Sequence, residues 1–170
     1  RNFPDGHIPI EIVDHKTIFR GYEDCLPTFN SISLETMTWR IPGLSDRFIE
    51  FNDDLMLLKP VFPEDFFPTD EKVVCYGQRA SVLLDSMTRM LKTSKNGQKT
   101  VTTKGSHMNG AMQAGHKMIY FRLAHCQKAL RRDFYEEWFT SHPDAMLQNI
   151  RCRFRDASQF TSQVLQYMTL

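Results

Sequence analysis

Phe48-Ile49-Glu50-Phe51-Asn52-Asp53-Asp54 decides how this chain is read. Aromatic and β-branched residues around one glutamate predict a short strand, and three turn formers end it. Two carboxylates directly after a strand sit where α/β sheets hold their ligands. Adjacent carboxylates repel, and a hard divalent cation between them and a phosphate relieves that repulsion. The same residues also suit a plain polar turn, and spacing alone leaves both readings open.

Upstream of this stretch, Ile8 to Val13 predicts a strand that ends in Asp14-His15-Lys16. Asn30 or Ser31 can cap a helix from about Ile32 to Arg40, which Pro42-Gly43 stops. Downstream, Pro60, Pro63 and Pro68 forbid a long helix. Val73 to Tyr76 reads as another strand. Val82, Leu83, Met87, Met90 and Leu91 share one helical face. Lys92 to Ser106 has no apolar period and reads as a mobile loop. From about Met108 the chain reads as helical, with Met118, Phe121, Leu123, Leu130, Phe134 and Trp138 supplying the apolar faces. Pro143 opens a further helix, and a last one starts near Ser158. Strands with helices first, then helices, predict an α/β core with a C-terminal helical extension. One domain, 1–170, is expected, in blocks 1–67, 68–107 and 108–170.

Composition narrows the function classes. The 170 residues are 41% hydrophobic and 24% charged, as in an ordinary globular protein. Lys+Arg number 21 against 20 Asp+Glu, a net charge of +1, so no global field favours nucleic acid. No apolar stretch approaches the roughly 20 residues of a membrane span. Four cysteines without a CxxC pair argue against a zinc knuckle or thioredoxin motif and suggest reduced, mostly buried thiols in a cytosolic setting. GxSxG, P-loop and GxGxxG motifs are absent. The chain starts at Arg1 rather than Met, and we expect a fragment of a longer protein.

Two further features could carry chemistry. His125 falls in a stretch read as helical, where an imidazole can exchange a proton or simply hold the structure. Arg151, Arg153 and Arg155 alternate with Cys152 and Phe154, either as forks for phosphate oxygens or as a solvated basic face.

Leu26-Pro27-Thr28-Phe29-Asn30-Ser31, Arg40-Ile41-Pro42-Gly43-Leu44-Ser45, Phe48 to Asp54 and Pro60 to Phe67 together resemble conserved region 2 of the Stealth family. Val13 to Phe19 fits its lead-in. His125, the acidic and aromatic run Asp133 to Glu137, Pro143 and Arg153-Phe154-Arg155 are similar to conserved region 3, more faintly. Ile32-Ser33 stands where the family usually has a histidine, and Ser158-Gln159 where it has an acidic pair. The Trp-Val-Asp-Gly motif of region 1 is missing, which strengthens the expectation of a fragment.

The resemblance implies a Rossmann-like, glycosyltransferase-A-like sheet. It implies a transferase that moves a sugar-1-phosphate from a nucleotide sugar to a glycan hydroxyl, in capsule or exopolysaccharide biosynthesis. It also implies catalytic roles for Asp53, Asp54, His125 and Arg155, with Asp53 and Asp54 holding Mg2+ or a similar cation. Asn30, Ser31, Arg40, Asn52 and Arg153 are expected to bind substrate. The implied setting is cytoplasmic, peripheral at the inner face of a bacterial membrane. The alternatives are a metal-dependent glycosyltransferase that leaves the phosphate behind, and a degenerate binding module.

Overall fold

The computed structural model describes residues 10–91 and 102–170. The chain is mixed α/β, and its strands form two separate antiparallel pairs. The elements are α1 (His15–Ile18), α2 (Ser31–Glu35), β1 (Arg47–Glu50), β2 (Gly77–Ser81), α3 (Val82–Leu91), α4 (Thr103–Gln113), β3 (Ile119–Leu123), β4 (Lys128–Arg131), α5 (Arg132–Ser141), α6 (Pro143–Ile150) and α7 (Ser162–Thr169). Single 3-10 turns cover Glu23–Cys25, Thr38–Arg40 and Pro63–Asp65.

β1 pairs with β4 from Arg47↔Arg131 to Glu50↔Lys128, and β2 pairs with β3 from Gly77↔Leu123 to Ser81↔Ile119. Each pair joins the first half of the chain to the second. The order expected from the sequence, with strands early and only helices late, is therefore corrected. Met118 to Arg131 contains two strands, because Tyr120, Ala129 and Leu130 find buried positions opposite partners lying far upstream.

Other expectations shift as well. Residues 10–14 form no strand, since nothing pairs with them among the described residues, and Ile10 and Ile12 point to solvent. His15–Ile18 is instead a helical turn, because the Asp14 side chain accepts from the Lys16 amide and caps it. The strand expected at Val73 to Tyr76 begins at Gly77. α3 forms as expected, yet Leu83 and Met87 of its apolar face are exposed. Of the expected loop, 92–101 lie outside the described residues, and Thr103–Ser106 is the first turn of α4. Thr102 starts that helix by accepting from the Gly105 amide at 3.1 Å. Asn30 caps α2, as its residue type predicts, through the Ile32 amide at 3.2 Å. All four thiols are free, and only Cys25 is fully buried.

The main core gathers Phe19, Met37, Phe48, Leu130, Tyr135 and Met146, with Ile150, Phe160 and Leu165 behind them. A second cluster joins Val82, Met108, Ala111, Tyr120 and Val164. α7 serves both, with Leu165 in one and Val164 in the other. It also covers β4: the Gln166 side chain accepts from the Arg131 amide at 2.8 Å, and the Tyr167 hydroxyl donates to the Ala129 carbonyl at 2.8 Å. The free edge of a two-stranded ribbon is thereby satisfied from a helix. α4 and α7 approach closely at Gly110, where a Cβ would meet the Thr161 carbonyl at 2.7 Å and Val164 Cβ at 3.1 Å.

A buried polar network locks 28–36 against 149–160. Asn30 donates to the Cys152 carbonyl at 2.9 Å and to Gln159 at 2.8 Å. Gln159 donates to the Asn149 carbonyl at 2.8 Å, and Asn149 donates to the Thr36 hydroxyl at 3.0 Å. Buried amides of this kind are tolerated because their partners are in place.

Candidate active site

Antiparallel pairing brings the site together. β1 leaves its ladder at Glu50 where β4 enters at Lys128, so 51–54 and the turn 124–127 emerge side by side. His125 lies in that turn, not in a helix as the sequence suggested. Asn52 Nδ2 donates to His125 Nε2 at 3.1 Å, and Asn52 Oδ1 accepts from Lys128 Nζ at 3.3 Å. Lys128 thereby fixes which way the Asn52 amide faces, and the amide leaves Nε2 as an acceptor. Asp54 Oδ1 stands 3.6 Å from the same nitrogen, with both side chains open to water.

Asn52, His125 and Lys128 open onto a cleft of about 660 Å³, and Asp54 stands outside its lining. Asn52, Asp53 and His125 line one wall, and Ser31 and Arg155 line another. Arg155 Nη2 donates to the Ser31 hydroxyl at 3.1 Å, and the Asn30–Gln159 network holds both backbones. Thr102, Thr103, Ser106 and His107, from the amino end of α4, complete the cleft. Arg155 and the amino end of α4 bring positive character to one side of the cleft, while Glu35, Glu50 and Asp53 line it as well.

The floor holds charges that the local sequence barely reveals. Glu50 is bound by Lys128 at 3.1 Å, and both are largely buried. Gln163 donates to Glu50 at 2.8 Å and to Glu35 at 2.9 Å, tying two acidic residues together. Burial above all, and then Glu35, raises the Glu50 carboxyl above its ordinary value, while Lys128 pulls the other way. Among the described residues Glu50 Oε2 has no hydrogen-bond partner. His107 is also buried, and burial followed by Lys128 and Arg122 pushes its imidazole down to about 4, so it is neutral near pH 7. One signal for Glu50 was available, a lone glutamate inside an apolar strand. Lys128, His107 and Gln163 carry none without the pairing.

Three residues expected to bind substrate have other partners and do not line the cleft. Asn30 is the buried cap and hub already described. Arg40 donates to the Ile18 and Arg20 carbonyls at 2.8 Å each and lies over Tyr22. Arg153 donates to the Leu26 carbonyl at 3.3 Å. No group of three or more His, Cys, Asp or Glu is set to enclose a metal among the described residues. Asp53 and Asp54 suit a hard cation that takes one or two carboxylates and completes its shell from phosphate and water.

Comparison with known proteins defines the class. Residues 3–75 match Stealth protein CR2, conserved region 2. The chain is 29% identical over 157 residues to an exopolysaccharide phosphotransferase of Streptomyces coelicolor, covering 92% of this chain and 26% of that protein. It is 49% identical over 61 residues to an exopolysaccharide phosphotransferase of Lactiplantibacillus plantarum, covering 36% of this chain and 18% of the other. It is 47% identical over 58 residues to the human N-acetylglucosamine-1-phosphotransferase subunits alpha/beta, covering 34% of this chain and 4% of the other. Residues 3–75 of this chain thus carry conserved region 2 of the Stealth proteins. The chain spans about a quarter or less of the length of these relatives.

Proposed function

We propose that this chain supplies the acceptor-activating part of a sugar-1-phosphate transferase that builds an exopolysaccharide or capsule. The donor would be a nucleotide sugar. An acceptor hydroxyl attacks the phosphorus attached to the sugar, the bond from that phosphorus to the bridging oxygen breaks, and nucleoside monophosphate leaves. The product is a phosphodiester. The observation that carries this reading is that Asp53, His125 and Arg155, from three distant segments, line one cleft.

His125 Nε2 takes the proton of the attacking hydroxyl once that hydroxyl displaces the Asn52 amide from its lone pair. Asp54 then faces the charged imidazolium. Arg155, braced by Ser31, binds the transferred phosphate, and the amino end of α4 adds to its field. Asp53 and Asp54 would hold a divalent cation such as Mg2+, which would offset the diphosphate charge. The reaction would run in the cytoplasm at the inner face of a bacterial membrane, and among the described residues no helix is long and apolar enough to cross one.

The test is to follow the donor's sugar-linked phosphorus in the full-length enzyme. Its appearance in the glycan product, and its loss in His125→Ala and Asp53→Asn with unchanged circular dichroism, is expected. Transfer of sugar without phosphorus would make the enzyme a glycosyltransferase. Wild-type turnover in His125→Ala would remove the proposed base.

A further inference from the structure

Phe29 and Phe154 are 72% and 69% exposed, unlike the aromatic residues of the core. Their rings nevertheless stack on each other, with centroids 5.7 Å apart and planes at 19°. The stack is built rather than accidental. The Phe29 amide donates to the Arg153 carbonyl at 2.9 Å, so the two segments run together beside the Asn30–Gln159 network. Ser31 and Arg155, which line the cleft, lie two residues and one residue away in the same segments.

We propose that this aromatic pair is a platform for a hexopyranose ring of the acceptor glycan, at the approach to the cleft. The inference rests on the transferase reading and adds a subsite to it. A pyranose presents a face of C–H groups and a rim of hydroxyls. An open aromatic face takes the first, and arginine donors beside it take the second. Arg153 and Arg155 flank Phe154 and are both exposed. Their charge also matches a growing chain that already carries phosphodiesters.

Saturation-transfer NMR on the full-length protein tests this with chitohexaose, cellohexaose, maltohexaose and UMP as probes. At least one oligosaccharide should receive saturation at its ring C–H protons. The effect should fall about fivefold in Phe29→Ala and Phe154→Ala and return in Phe154→Tyr. No saturation of any oligosaccharide, an unchanged effect in both alanine variants, or a loss confined to UMP would overturn the platform. Asp53→Asn separates the two claims. If the sugar signal depends on Phe154 while Asp53→Asn keeps full phosphorus transfer, the catalytic reading fails and the platform stands.

Discussion

His107 shows how much one buried side chain can set. Its imidazole is 5% exposed and titrates near 4, against 6.5 for a free histidine. Between those values the unfolded chain holds a proton that the folded chain refuses. Stability therefore falls as pH drops from about 6.5 to 4, by about 3 kcal/mol at most. His107→Gln should flatten that part of the profile, measured as the urea midpoint at pH 7 and pH 4.5 in parent and variant. An equal slope in both proteins would show that His107 does not titrate in the window. The same scale separates what the sequence could disclose from what it could not. Asn30 as a helix cap follows from residue type. The carboxylates after Phe51 follow from their neighbours. His107 and Lys128 look like any polar residues until the fold buries them.

At the scale of elements, the sequence supports helices better than strands. α5 and α6 declare themselves by apolar spacing and by Pro143 in the first turn. Met118 to Leu123 fits a helical face and a pleated strand about equally well, and only the pairing with Gly77–Ser81 decides. Ile8 to Val13 has strand composition, but its described part lacks a partner, and composition alone does not make a strand. The α4–α7 contact gives a direct prediction. Gly110→Ala would press a methyl group into the Thr161 carbonyl and Val164. It should destabilise the fold by about 1–3 kcal/mol despite alanine's better helix propensity. Chemical denaturation checks this, and a more stable variant would mean that the helices part at little cost.

For the whole molecule, the convergence of the cleft depends on two ladders between distant parts of the chain. Block boundaries at 67 and 107 therefore divide the sequence but not the structure. The resemblance pairs Asp53 with His125, and no local pattern joins them, because the register that does so is a long-range property.

The rung Glu50↔Lys128 has an evolutionary reading. Residues 51–127 leave and return at neighbouring points, like a detour that starts and finishes at one junction. Most of that detour is fixed, since α4 and β3 pack on α7 and the amino end of α4 lines the cleft. Its exposed stretch 56–65 can lengthen while the rest stays put, because closing a longer loop adds only about 0.6 kcal/mol per doubling. Four Gly-Ser residues inserted between Leu58 and Lys59, both exposed, should leave the melting temperature within about 2 °C and phosphorus transfer intact. One residue deleted from β1 should abolish both, since it would turn Phe48 outward and carry the acidic tip away from the imidazole. Homologous chains are thus free to elaborate that exposed stretch without disturbing the ladder at the base of the detour.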